Sequence, residues 1–381
     1  MTQRPTTTET AAPQVLRVIE PMLRGPSGHY AEFVRALAAR SEGVFSRIEV
    51  VADPRAEAFL PSLGGTVPVA AHRLPRGPGA ELRAVREALA GGHRTLVLTA
   101  NASHALLADA AAFVGSDALA RLSLFVHWPL VKPQARLALA LARRVRARSL
   151  LLAPTRGVRE ALVEADCARA VQVAYPATRA PGCRLRAPFR HLLMAGAARI
   201  NKGLDVVAGL AEDLARDGRD LPLLVQVSPK HVDRHGSRED AVVARLLAAR
   251  YAGLVADPKA PDRGEYAARF EGALVLAPYE RAKFADGVSG VVLDALLHGA
   301  PVIATSGTWA GDVVERFDAG VVLRERTSAQ LAAAVDRVVA RWDRYAQNAA
   351  KASDALAAEH DPRALARVIA SAPATAAAAM A

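Results

Sequence analysis

Short apolar runs alternate with longer amphipathic stretches along most of this chain. The first half has apolar runs rich in Val, Leu and Ile at residues 15–19, 48–51, 95–98, 122–126 and 149–152. The stretches between them are rich in Ala, Leu and Arg, and their apolar residues recur at helical spacing. Alternation of buried strands with helices predicts a parallel, doubly wound α/β sheet.

The same alternation resumes after residue 190. Strands are predicted at 191–195, 223–227, 273–279 and 302–304, and amphipathic helices at 328–349 and 352–370. Residues 177–188 are rich in Pro, Arg and Gly and lack periodicity, as an interdomain linker does. Because 381 residues exceed what one hydrophobic core usually covers, we expect two domains, at 14–178 and 189–352.

The net charge of +11 allows three kinds of partner: nucleic acid, an anionic membrane surface, or phosphorylated substrates. Nucleic acid is not favoured, because no zinc finger, basic zipper or RNP-type aromatic motif accompanies the arginines. A single helix is predicted over 134–148, with Leu on one face and an Arg-rich end. It is either an ordinary core-packed helix or a contact with anionic lipid headgroups.

Cysteine usage and hydropathy predict a cytoplasmic protein, soluble or peripheral on the inner face of the membrane. The two cysteines, Cys167 and Cys183, are too few for a disulfide framework or a metal site, which is typical of a reducing compartment. Residues 1–13 are polar and do not form a signal peptide, and no apolar run approaches the thickness of a bilayer. His231 and His235 have no acidic or cysteine partner at ligand spacing, so no metal is expected.

Residues 284–305 combine a loop, a helix and a strand in the form of a phosphate site. Asp286 opens the loop, Gly287 permits a tight turn, and Ser289 is placed to cap a helix that runs to about His298. Gly299 follows as the C-terminal cap, before a short buried strand. The free N–H groups and positive dipole end of such a helix bind diphosphate.

Asp286 and Asp294 stand eight positions apart, one before the helix and one inside it. Their separation along the helix axis is about 10 Å, so the two carboxylates do not share one proton. Each is expected to meet a different part of an extended ligand, and the hydroxyl groups of a sugar and a ribose fit that separation.

This stretch resembles the Glu-x7-Glu signature of family-4 retaining glycosyltransferases, with Asp in place of both Glu residues. The resemblance implies the GT-B fold, an α/β architecture of two Rossmann-like, doubly wound domains facing across a cleft, with a terminal helix at 353–371 that crosses back to the first domain. It also implies that Asp286 contacts the donor sugar and that Asp294 holds the ribose. The diphosphate would bind the loop residues Gly287, Val288, Ser289 and Gly290.

Other segments match the same family. Arg199 and Lys202 follow the strand at 191–195, and the resemblance implies that this loop clamps the donor diphosphate. Fixed cations at such a place stabilise the charge of a departing diphosphate. Gly25 and Gly28 resemble the glycine-bearing first loop, which lies beside the donor phosphates.

His127 ends the apolar run at 122–126, and the carboxyl ends of strands carry the active sites of such sheets. The family has a histidine at the corresponding strand end, close to the donor sugar. The alternative is a strand-end histidine that packs against Trp128.

The resemblance therefore implies a retaining, metal-independent glycosyltransferase without a cofactor. His127, Asp286, Lys202 and Arg199 would be its catalytic residues. It would move a sugar from a nucleotide-sugar donor to a glycan or lipid-linked acceptor in bacterial polysaccharide or glycoconjugate synthesis. Three alternatives stay open: a non-catalytic scaffold or partner subunit, which the two Asp residues suggest; an epimerase or phosphorylase on the same fold; and a basic nucleic-acid binder.

Overall fold

Two parallel β-sheets organise the chain. The computed structural model describes residues 14–74, 79–101, 104–105, 109, 117–128, 132–227 and 237–371. All strand pairs in both sheets are parallel, and helices connect most consecutive strands. The predicted α/β architecture of two doubly wound sheets is therefore confirmed.

The first sheet has seven strands in the order β3-β2-β1-β4-β5-β6-β7. The third strand in this order, β1, is buried on both faces, because Leu16 and Val18 lie in one buried cluster and Ile19, on the opposite face, lies in another. The strands are β1 (Gln14–Glu20), β2 (Phe45–Ala52), β3 (Val69–Arg73), β4 (Arg94–Ala100), β5 (Leu122–Val126), β6 (Leu150–Ala153) and β7 (Ala170–Gln172).

The second sheet has six strands in the order β10-β9-β8-β11-β12-β13. The strands β8 and β11 lie at its centre, so the loops that follow them meet at one edge of the sheet. The strands are β8 (His191–Met194), β9 (Leu223–Gln226), β10 (Leu254–Asp257), β11 (Ala273–Ala277), β12 (Val302–Thr305) and β13 (Gly320–Leu323).

The helices of the first half are α1 (His29–Arg40), α2 (Ala80–Ala90), α3 (Pro133–Leu141), α4 (Arg143–Arg148) and α5 (Arg156–Glu164). The prediction of one helix over 134–148 is wrong, because the chain breaks at Ala142. Ala142 is fully buried, and the carboxylate of Asp109 accepts a hydrogen bond of 2.9 Å from the N–H of Val145. The second helix thus begins with a satisfied N–H group.

The helices of the second half are α6 (Leu204–Arg216), α7 (Ser237–Ala248), α8 (Arg263–Ala268), α9 (Arg281–Phe284), α10 (Gly290–Leu297), α11 (Trp309–Phe317), α12 (Ser328–Val339), α13 (Trp342–Glu359) and α14 (Pro362–Ser371). The two terminal helices predicted at 328–349 and 352–370 are three in the structure. Pro362 starts the last one, at the first turn where proline is tolerated.

The last helix, α14, packs against the first sheet. Leu365, Ala366 and Ile369 lie in the same buried cluster as residues of β1 and α1. At its start, His360 Nδ1 donates to the carbonyl of Tyr175 over 2.6 Å, and the carbonyl of His360 accepts from the N–H of Ala177 over 3.1 Å. The chain therefore passes between the two sheets at 173–190 and again at 359–361.

Candidate functional site

The loop after β8 is held against the end of β11. Gly203 has a φ of 95°, and a Cβ there would lie 2.4 Å from Pro278 Cγ, so only glycine fits. Arg326 fastens the same loop, since its guanidinium donates to the carbonyls of Pro278 and Ile200 and pairs with Asp205. Arg326 was not predicted from the sequence, because no motif marks it.

Lys202 and the first turn of α10 come together at Gly196. A Cβ on Gly196 would lie 3.9 Å from Lys202 Nζ and 3.0 Å from Val291 Cγ2. Burial, followed by the nearby charge of Arg199, lowers the pKa of Lys202 to about 8. A buried ammonium beside a second cation is stabilised by an anion, so this loop has the charge arrangement of an anion site.

The helix α10 begins as the sequence predicts. The Ser289 hydroxyl accepts from the N–H of Val292 over 3.3 Å and donates to Tyr279 over 3.2 Å. Gly299 has a φ of 73° just after the helix, so the predicted N- and C-terminal caps are both confirmed. Gly287 lies outside the left-handed region, so the turn there does not require glycine, contrary to the prediction.

Asp294 is the fifth residue of α10, in its second turn, and is half-buried. Its Oδ2 accepts a hydrogen bond of 3.0 Å from the phenol of Tyr266. Burial raises the pKa of Asp294 to about 7, although the bond from Tyr266 favours the charged form. Tyr266 was not predicted from the sequence, because nothing in its own segment links it to a residue 28 positions away.

Asp286 contacts the other domain. The Thr155 hydroxyl donates to the backbone carbonyl of Asp286 over 3.2 Å, at the start of α5. The carboxylate of Asp286 lies against Gly157 in the first turn of that helix. An ion pair of 3.4 Å between Glu32 and Arg263 also joins the two halves of the chain.

His127 follows β5, at the predicted strand end, and is 8% exposed. Its Nε2–H donates to the carbonyl of Leu98 over 2.9 Å, and burial lowers its pKa to about 4. The ring also packs 5.3 Å from that of Trp128 and 5.9 Å from that of Tyr175, centroid to centroid. His127 is therefore a neutral histidine that both lies at the strand end and packs against Trp128.

The loop after β1 carries the two predicted glycines. Gly28 has a φ of 97°, and a Cβ at Gly25 or Gly28 would meet no atom of the described residues within 4 Å. Glu20 precedes this loop and was missed, although a carboxylate at the end of an apolar strand is a visible signal. It is buried, accepts from the N–H of Met22 over 2.9 Å, and has a pKa raised by burial.

The described residues contain no group of three or more His, Cys, Asp or Glu side chains that could hold a metal ion. His231 and His235 lie outside the described residues. Within the described part of the chain, no helix is both long enough and apolar enough to span a bilayer.

Neither a family model nor a curated protein sequence matches this chain. Solved structures match it in fold. HepE of Anabaena, in a complex with UDP-glucose, has a TM-score of 0.64 at 16% identity, over 94% of this chain and 98% of HepE. The trehalose-6-phosphate synthase OtsA has a TM-score of 0.67 at 12% identity, over 93% of this chain and 97% of OtsA.

A sucrose-phosphate synthase from Thermosynechococcus elongatus has a TM-score of 0.62 at 14% identity, over 93% of this chain and 97% of that structure. At identities this low, the TM-scores establish the fold alone, and the three structures have the GT-B fold. The two parallel sheets of this chain therefore form a GT-B fold, as the sequence predicts.

Proposed function

We propose that this chain is a retaining, metal-independent glycosyltransferase that moves a sugar from a nucleoside diphosphate to an acceptor hydroxyl. One observation carries the proposal: the buried ammonium of Lys202 and the first turn of α10 converge at Gly196. An ammonium and a helix N-terminus at one point form an anion site with two independent sources of positive charge. A diphosphate fits that site.

In the proposed reaction, the bond between the sugar C1 and the diphosphate oxygen breaks, and a bond between C1 and the acceptor oxygen forms. The acceptor proton passes to an oxygen of the leaving diphosphate. Lys202, Arg199 and the N–H groups after Ser289 stabilise the negative charge that builds on this leaving group. Their fixed placement supplies this stabilisation without rearrangement.

Two acids and a histidine would position the rest of the donor. Asp294, held by Tyr266, accepts hydrogen bonds from the ribose, and Asp286 contacts the sugar. His127 is neutral and donates through Nε2, which leaves its other ring nitrogen in the acceptor form that binds a sugar hydroxyl. Because HepE was solved with UDP and with UDP-glucose, a UDP-sugar is the first donor to test.

The acceptor side suggests a glycan or lipid-linked acceptor at an anionic membrane. On α3, Leu137 is 62% exposed and Leu141 is 55% exposed. The cations Lys132 and Arg143 flank this helix and are exposed. Exposed leucines with basic neighbours suit the surface of a bilayer with anionic headgroups, and such a location would be peripheral and cytoplasmic.

The experiment is to incubate the purified chain with UDP-, GDP-, ADP- and dTDP-sugars in EDTA, following nucleotide release and thermal shift. One donor should stabilise the protein and be hydrolysed slowly without metal. Lys202→Ala should abolish both effects, whereas Lys351→Ala, at an exposed lysine of the same domain, should change neither. If no nucleotide sugar binds, the proposed transferase is refuted in favour of a non-catalytic scaffold. If a donor is converted into its epimer, it is refuted in favour of an epimerase.

A further inference from the structure

The carboxylate of Asp286 lies against the first turn of α5, which belongs to the other domain. A Cβ built on Gly157 would lie 2.1 Å from Asp286 Oδ1, 2.5 Å from Cγ and 2.8 Å from Oδ2. Real Cβ atoms do not approach other heavy atoms closer than about 3 Å. A side chain at position 157 would therefore displace the carboxylate by about 1 Å.

Nothing in the backbone requires glycine at position 157. Gly157 is the second residue of a helix and does not have a left-handed φ. Glycine at a helical position costs about 1 kcal/mol relative to alanine. The close approach of Asp286 is the feature of the structure that accounts for glycine there.

Thr155 ties the same helix end to the same loop. Its hydroxyl accepts from the N–H of Val158 over 3.3 Å, which caps α5, and donates to the Asp286 carbonyl over 3.2 Å. One side chain thus fixes where the helix begins and where the Asp286 loop lies. The positive end of the helix dipole also favours a carboxylate at this place.

We propose that Gly157 and Thr155 are positioning residues that set the location of the Asp286 carboxylate when the two domains meet. The inference rests on the proposed function, in which Asp286 contacts the donor sugar. The first turn of α5 acts as a seat: Thr155 holds the loop backbone, and Gly157 leaves the space that the carboxylate fills. The start of α5 thus requires a residue without a Cβ where it contacts the carboxylate of Asp286.

The first test needs no activity. The variants are Gly157→Ala, Asp286→Ala and their combination. The matched control is Gly264→Ala, at the second residue of α8, where a Cβ meets only Asp262 Oδ1 at 3.5 Å. The shift in melting temperature that Gly157→Ala causes should be about 2 °C lower in the wild type than in the Asp286→Ala background, because only the wild type has the carboxylate that the new methyl group displaces. Gly264→Ala should shift the melting temperature equally in the two backgrounds. If Gly157→Ala also shifts it equally in the two backgrounds, the contact between Gly157 and Asp286 is refuted.

The second test measures turnover with the donor that the wild type uses. Gly157→Ala should lower kcat by about 10- to 100-fold, because the acid moves by about 1 Å, while the affinity for the free nucleotide stays within twofold. Thr155→Val, which removes the hydroxyl, should lower kcat, whereas Thr155→Ser, which keeps it, should have the kcat of the wild type. An unchanged kcat in Gly157→Ala would refute the positioning role. If the wild type turns over no donor, the proposed function is refuted instead. The melting temperatures of the Gly157→Ala and Asp286→Ala variants then still show whether the two residues are in contact.

Discussion

The phenol of Tyr266 donates a hydrogen bond of 3.0 Å to the carboxylate of Asp294, across 28 positions of sequence. Burial raises the pKa of Asp294 to about 7, and this bond acts against the rise by stabilising the charged form. The ionisation of the acid proposed to bind the ribose therefore depends on a side chain from α8. Removal of the phenol oxygen should weaken donor binding.

Tyr266→Phe should raise the pKa of Asp294 further, because a bond to the charged form is lost. At pH 7 we expect the donor affinity to fall about tenfold, as for the loss of a hydrogen bond to a charged group. Calorimetry with the preferred nucleotide sugar measures this. Tyr251→Phe is the control, since that phenol bonds to the backbone of Leu221. An affinity in Tyr266→Phe equal to that of the wild type would contradict the role of Asp294.

Donor affinity should show a bell-shaped dependence on pH. Asp294, with a pKa of about 7, becomes neutral as the pH falls, so ribose binding weakens on the acid side. Lys202, with a pKa of about 8, becomes neutral as the pH rises, so diphosphate binding weakens on the alkaline side. Asp294→Asn should remove the acid limb, and Lys202→Arg the alkaline limb. A flat profile between about pH 6 and pH 9 would refute both assignments.

The elements that the sequence predicts best are those with local causes. The central strands are continuous apolar runs, and the strand predicted at 122–126 is observed without change. The start of α10 depends on Ser289 and the residues directly after it, so its cap was also predictable. The edge strand β3 (Val69–Arg73) was missed because it has one buried residue and otherwise half-buried or exposed ones.

Features that depend on distant partners were not predictable. The break at Ala142 requires Asp109 to accept from Val145, and the observed break between α12 and α13, at 340–341, lies inside the helix predicted at 328–349. Gly157 and Asp286 are 129 positions apart in the sequence and belong to different domains, yet they are in contact. No local pattern distinguishes Gly157 from any other glycine near a helix start.

Asp294 should also destabilise the folded chain at alkaline pH. Its pKa is about 7 in the folded state and near 3.8 when unfolded, so the folded state binds the proton more tightly. Stability from this group is therefore present at low pH and is lost as the pH rises towards and through 7. Asp294→Asn, which carries no charge, should raise the melting temperature at pH 8 by several degrees and have little effect at pH 4. An equal shift at both values would show that the carboxyl is not desolvated.

The exposed face of α3 should bind anionic vesicles. Leu137 and Leu141 present apolar surface on a helix without an acidic residue, and the cations at its ends favour anionic headgroups. Co-sedimentation with phosphatidylglycerol vesicles should exceed that with phosphatidylcholine vesicles and should weaken as salt screens the charges. Replacement of Leu137 and Leu141 by serine should abolish the apolar part of the binding.

The control for this experiment lies in the second domain. Leu247 and Val255 are 53% and 59% exposed, so their replacement by serine removes a similar amount of apolar surface from another part of the chain. If the membrane contact is specific to α3, this control variant binds vesicles like the wild type, while the α3 variant does not. Equal losses in the two variants would mean that exposed apolar area alone drives the association. If the wild type binds neither kind of vesicle, the proposed membrane contact of α3 is refuted, and a soluble glycan becomes the favoured acceptor of the proposed reaction.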